Sequence, residues 1–92
     1  MKVNIVGGGT SGWWCAGYLR KNHPDLEITL IESPNITTVR VGESTMPNVR
    51  AFFEELGIPE EAWIKTCSAV RKEGNVKTNF SYVGDDPYNF LF

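Results

Sequence analysis

Three glycines set between a strand and a helix constrain this chain more than any other feature. Lys2–Val6 reads KVNIV, a short β-branched run that predicts a buried strand. Gly7-Gly8-Gly9-Thr10-Ser11-Gly12 follows, and a helical stretch runs on to about Asn22. The spacing Gly7-x-Gly9-x-x-Gly12 in that context is the dinucleotide fingerprint. Its first glycine allows the tight turn, its second lets backbone approach a pyrophosphate, and its third lets helix pack closely on strand. Backbone N–H groups at the helix start would face the phosphates, aided by the helix dipole. His23-Pro24 stops the helix, because proline disfavours helical backbone in the residue before it. Glu27–Glu32 reads EITLIE, a second buried strand, and Glu32 stands twenty residues after Gly12. A carboxylate there accepts hydrogen bonds from ribose hydroxyls and repels a ribose phosphate, which disfavours NADP. A tight βα turn with a surface glutamate is the plainer alternative. The loop chemistry alone does not separate FAD from NAD.

Strand, helix and strand within about thirty residues make one βαβ unit. Trp14 and Tyr18, and Cys15 and Leu19, lie four apart and predict the inner helix face. Trp13, directly after Gly12, is expected to wedge the helix against the sheet. His23 reads as a solvated helix-end residue. Ser33–Thr38 is a polar loop, and Val39–Glu43 a short apolar stretch. A second helix is expected from near Thr45, whose hydroxyl would cap it. Val49, Phe52, Phe53 and Leu56 fall at i, i+3, i+4 and i+7, a buried stripe. Gly57 ends it. Pro59 suits the first turn of a third helix, with Glu60 and Glu61 at its positive end. That helix carries Ala62, Trp63, Ile64 and Cys67. Val76–Val83 is strand material, with a turn at Gly84–Pro87.

Composition narrows the classes. Hydrophobic residues make up 41% and charged residues 22% of 92 residues, which is globular rather than disordered. The net charge is −2, with no basic block, so the footprint of a nucleic-acid binder is missing. No run reaches the ~18 apolar residues of a membrane helix. The first strand starts directly after Met1, which leaves no room for a leader. Cys15 and Cys67 are in no metal-ligand spacing and read as two reduced thiols, with a single bridge between them the alternative. The expectation is a cytoplasmic chain without metal. A chain this short buries only about two-thirds of its unfolded surface, so marginal stability is expected, and 92 residues are too few for a complete redox enzyme.

Several stretches together resemble the flavin-dependent tryptophan halogenases. Gly7–Trp13 reads GGGTSGW, similar to that family's GGGTAGW. Ile31-Glu32-Ser33-Pro34 matches its strand end. Val41-Gly42-Glu43-Ser44-Thr45-Met46-Pro47 is similar to its GVGEATIP segment, and Phe52-Phe53 with Leu56–Glu60 and Trp63 to its FF…LGIPE…W. Order and spacing agree across about residues 3–72.

The resemblance implies an α/β chain: a partial Rossmann-like FAD-binding fold, with one βαβ unit followed by two helices and a strand. It implies cofactor contacts at Gly7, Gly9, Thr10, Ser11, Gly12 and Glu32, and a strap over the flavin at Val41, Gly42, Glu43 and Ser44. Reduced FAD, supplied by a separate flavin reductase, with dioxygen and halide would yield hypohalous acid. That acid would be delivered to a lysine beside an electron-rich aromatic substrate. The family's lysine lies nine residues after its tryptophan, which falls on Lys72. Read by itself, Arg71-Lys72-Glu73 is a solvated turn, and Lys77 competes if the register slips. Arg40 replaces the family's glycine before VGE. The family's WxWxIP motif and catalytic glutamate lie beyond position 92. Residues 1–92 therefore read as a truncated N-terminal portion of the FAD-binding domain, inactive alone and weak or absent in FAD binding. Two other readings stay open: the nucleotide-binding piece of another FAD- or NAD-linked oxidoreductase, or a non-catalytic interaction protein.

Overall fold

The structure, a computed structural model, describes residues 1–39 and 41–92; Arg40, the departure from the family pattern, lies outside them. The chain forms two compact units. Met1–Thr45 with Glu55–Gly57 make the first, and Met46–Glu54 with Ile58–Phe92 the second.

The first unit holds β1 (Lys2–Val6), α1 (Thr10–Asn22) and β2 (Glu27–Ile31). The strands pair in parallel, in register from Lys2 opposite Glu27 to Val6 opposite Ile31. This is the expected βαβ unit. The strands are not buried through, however: Val3, Ile5, Ile28 and Leu30 are half-buried while their neighbours are exposed. The cause is one-sided cover. Parallel strands are buried when helices lie on both faces of their sheet, and here α1 covers one face. Val6 on the other is 83% exposed.

The sheet-facing row of α1 also differs from expectation. It starts at Gly12, whose neighbours are the Gly7 carbonyl and the Ile5 side chain, and continues through the half-buried Ala16 and Leu19 at i+4 and i+7. At roughly 100° per residue, Cys15 and Tyr18 stand to one side of that row, and both are exposed. Trp13 points away from it at 57% exposure and wedges nothing. Trp14 is half-buried. His23 caps the helix through its own N–H, which donates to the Leu19 carbonyl at 2.8 Å. Arg20 and Lys21 in the last turn suit its negative end.

The second unit holds α2 (Asn48–Glu55, all but its last residue), α3 (Glu60–Cys67), β3 (Gly74–Lys77) and β4 (Tyr88–Leu91). α2 begins three residues after Thr45, so Thr45 is not its cap. Pro47 keeps Met46 out of the helix, and the first turn closes on the Met46 and Pro47 carbonyls. The expected stripe is in place. Val49 is buried, Phe52, Phe53 and Leu56 half-buried, and Phe53 stacks on Trp63 with ring centroids 5.1 Å apart. Gly57 ends the helix at φ +76°. The Ile58 N–H then reaches back to the Phe53 carbonyl at 2.9 Å, the bond of a Schellman stop.

Pro59 immediately precedes α3, with Glu60 and Glu61 in its first turn. Glu60 pairs with Arg50 at 3.1 Å and Arg71 at 3.5 Å. Trp63 and Ile64 are half-buried, whereas Ala62 and Cys67 are exposed: an eight-residue helix turns only a narrow face inward.

β3 and β4 form an antiparallel pair, from Gly74 opposite Leu91 to Lys77 opposite Tyr88. The strand expected at Val76–Val83 thus starts earlier and ends at Lys77. Asn79 adopts φ +52°, which breaks extended backbone. Its Oδ1 accepts the Gly84 N–H at 2.7 Å, and Asp85 Oδ2 accepts the Ser81 N–H at 2.8 Å. These side-chain bonds hold Thr78–Pro87 as a loop, competing with strand pairing. Among the described residues no helix is long and apolar enough to cross a membrane.

Candidate functional site

The glycine loop leaves β1 and enters α1 in four steps, each with its own constraint. Gly7 sits at φ +122°, a backbone that side-chain-bearing residues rarely adopt. Its N–H donates to the Ile31 carbonyl at 2.8 Å, fixing the turn to the end of β2. Gly8 faces Glu32: a Cβ there would collide with the Glu32 carboxylate and lie 2.6 Å from its Cβ. Gly9 is the N-cap, with extended backbone, no capping side chain and nothing within 4 Å of a would-be Cβ. Gly12 lies so close to the Gly7 carbonyl that a Cβ would overlap its oxygen and lie 3.1 Å from its carbon.

The turn at Gly7 and the close packing at Gly12 agree with the spacing. Gly7 and Gly12 make the turn and the close packing, and Gly9 keeps the approach open. The first N–H groups of α1 have no intrahelical acceptors and present the positive end of the helix dipole. No acidic residue lies in its first turn. Glu32 is exposed just past β2, beside Gly8. N–H donors at a helix start, an open backbone and an adjacent strand-end carboxylate fit a dinucleotide diphosphate with its ribose.

Two further sequence-predicted residues meet at this loop. The Thr10 hydroxyl donates to Glu43 Oε1 at 2.7 Å, across thirty-three positions of sequence. Val41, Ser44 and Ser11 are exposed, and Gly42 has φ +80°. The segment expected to form the strap is irregular, and Glu43 ties it to the start of α1.

Lys72 belongs to the second unit, between α3 and β3. It is half-buried, and its Nζ lies 5.1 Å from the Phe92 ring centroid, within cation–π range. Phe92 is held in turn by its N–H, which donates to the Glu73 carbonyl at 3.0 Å, and by Phe90, edge-on at 5.7 Å. Lys77, the competing position, is exposed, with Nζ 4.6 Å from the Phe80 centroid.

Sequence reasoning passed over two residues. Gly8 filled an "x" of the fingerprint, although three consecutive glycines were the signal that no side chain fits there. Phe92 as a neighbour of Lys72 had no local signal, because β-pairing brings together residues twenty apart.

The class this geometry defines is an α/β chain with a Rossmann-like βαβ unit. The tryptophan halogenase family matches it over residues 2–92. The chain belongs to that family. Among its relatives, the tryptophan 7-halogenase RebH of Lentzea aerocolonigenes is 45% identical over 86 residues, covering 91% of this chain and 16% of RebH. The tryptophan 6-halogenase ThaL of Streptomyces albogriseolus is 50% identical over 72 residues, 76% of this chain and 14% of ThaL. The crystal structure of the tryptophan 6-halogenase SttH from Streptomyces toxytricini superposes with a TM-score of 0.79 at 42% identity, covering 96% of this chain and 18% of that one. The chain thus spans about 16% of the length of a relative such as RebH.

Proposed function

We propose that this chain carries the nucleotide-binding edge and the catalytic lysine of a flavin-dependent halogenase. Its substrate would be an electron-rich aromatic compound, tryptophan or indole-like. Residues 1–92 are the N-terminal portion of the FAD-binding domain in this reading. The observation that carries it, within the family match, is Glu32 lying against Gly8 beside the open start of α1.

FAD, delivered reduced by a separate flavin reductase, would supply the electrons that convert dioxygen and halide to hypohalous acid. This chain's residues perform the steps around that chemistry. The loop N–H groups of Gly9–Gly12 donate to the diphosphate. Glu32 accepts from the ribose hydroxyls. Val41–Ser44 would hold the flavin as a strap. The Lys72 ammonium donates a hydrogen bond to hypohalous acid, drawing electron density from the halogen as the aromatic ring attacks it. A dinucleotide straddles two βαβ halves. Residues 1–92 supply one half, so a polypeptide of these residues alone is expected to retain FAD weakly and not to halogenate.

A chimaera tests this. Residues 2–92 replace the matching segment of RebH, and tryptophan chlorination is measured with a flavin reductase. The Lys72→Ala chimaera is expected to lose about a hundredfold or more in rate, and Lys77→Ala to stay within about threefold of its parent. Full activity in Lys72→Ala would overturn the assignment.

A further inference from the structure

Lys72 lies in a stretch without helix or strand, residues 69–73 between α3 and β3. Backbone bonds fix the two ends of that stretch. The Ala69 N–H donates to the Ile64 carbonyl at 2.9 Å, and the Glu73 carbonyl accepts the Phe92 N–H at 3.0 Å. Between them, two adjacent cations take different partners. Arg71 Nη2 lies 3.5 Å from Glu60 Oε1, whereas Lys72 Nζ lies over the Phe92 ring. Either cation could take either partner, since arginine also stacks on rings and lysine also pairs with acids. Glu60 decides between the two arrangements. Its carboxylate is shared: Oε2 pairs with Arg50 Nη2 at 3.1 Å, which leaves Oε1 for Arg71. Glu60 is also the seated member of the cluster, with its side chain 27% exposed against 79% for Arg71. It stands in the first turn of α3, where the helix dipole favours a carboxylate.

We propose that Glu60, oriented by Arg50, is a positioning residue for Lys72: it holds Arg71 to the start of α3 and so keeps the next residue's ammonium on the Phe92 ring. Glu60 acts through Arg71 and is not itself a catalytic residue. The effect on rate rests on Lys72 being the reacting lysine; the placement of Lys72 does not.

A brief pulse of acetic anhydride on the whole chain, read by site-resolved mass spectrometry, measures how far Lys72 is covered. Arg71→Gln and Glu60→Gln are each expected to speed Lys72 acetylation about twofold to fivefold, the range of an exposed ion pair. The double variant is no faster than either, because both changes remove one contact. Lys77, exposed and on β3, keeps its wild-type rate throughout. Salt at about 1 M screens the pair, so it speeds Lys72 acetylation in wild type and leaves Arg71→Gln unchanged. A merely structural role would not move that salt response. In the RebH chimaera, Arg71→Gln lowers kcat by about the same twofold to fivefold, with KM for tryptophan unchanged.

Four results would overturn the positioning role: equal Lys72 acetylation in wild type and both single variants, additive effects in the double variant, acceleration of Lys77 alongside Lys72, or a wild-type Lys72 insensitive to salt. Full activity of the Lys72→Ala chimaera overturns the catalytic reading instead, and the acetylation comparison still decides the placement.

Discussion

Replacing Gly12 with alanine isolates the close approach on which the βαβ unit depends. Gly12 is the third residue of α1, and helix propensity alone favours alanine there by about 1 kcal/mol. The tertiary environment opposes it. The new methyl would overlap the Gly7 carbonyl oxygen, lie 3.1 Å from the Gly7 carbonyl carbon and 3.6 Å from Ile5 Cγ2. Gly7 cannot yield freely, because its N–H is bonded to the Ile31 carbonyl at 2.8 Å. Helix α1 must therefore lift off β1, uncovering part of the face built from Val3, Ile5, Ile28 and Leu30. Overpacking of this kind costs about 1–3 kcal/mol, occasionally more, and with a backbone obstacle the upper end applies. Less the propensity gain, the net loss is about 1–2 kcal/mol. With a urea slope near 1 kcal/mol/M for a small domain, the midpoint falls by roughly 1–2 M. Urea titration followed by far-UV circular dichroism measures this. Gly9→Ala is the control: its φ of −80° and open surroundings accept a methyl, so its midpoint stays or rises slightly. A Gly12→Ala midpoint at or above wild type would refute the reasoning, as would an equal loss in Gly9→Ala.

Other sites give separate tests. Gly8→Ala pushes Glu32 off its seat and is expected to weaken ADP binding about as much as Glu32→Ala does, roughly tenfold by calorimetry, with the double variant no weaker than either. Ser68 closes α3 at φ 51° and ψ 38°, so Ser68→Gly relieves a left-handed residue and should stabilise the chain by about 0.5–1 kcal/mol in thermal melts. Asn79→Ala removes the acceptor for the Gly84 N–H and leaves an alanine at φ +52°. Faster hydrogen exchange in β3 and β4, by a loss of about 1–2 kcal/mol, is expected.

The local part of this fold was readable because its determinants are local. KVNIV and EITLI form strands where expected, though only half-buried, Gly57 stops α2 through its positive φ, and the Val49–Leu56 stripe faces inward. Where the reading missed, longer-range geometry had decided. Cys15 and Tyr18 satisfied a helical spacing but not the rotation of α1, which follows from where Gly12 touches Gly7. Thr45 was suited to cap a helix that Pro47 would not allow to begin so early. Val76–Val83 carried strand composition, yet Asn79 and Asp85 bonded the backbone into a loop.

By itself, then, the sequence determined the order of elements as far as β3, though not β4, together with the glycine turn and the family. Each depends on residue type at short spacing: glycine where backbone must approach, apolar residues at helical period, an acid at a strand end. Only the tertiary structure decided which of those residues meet. The seat of Glu32 on Gly8, the bond from Thr10 to Glu43 and the Phe92 ring beside Lys72 join segments that are 24, 33 and 20 positions apart. No local preference encodes such contacts. They exist because parallel pairing of β1 with β2, antiparallel pairing of β3 with β4 and the packing of α1 on its sheet bring distant backbone together.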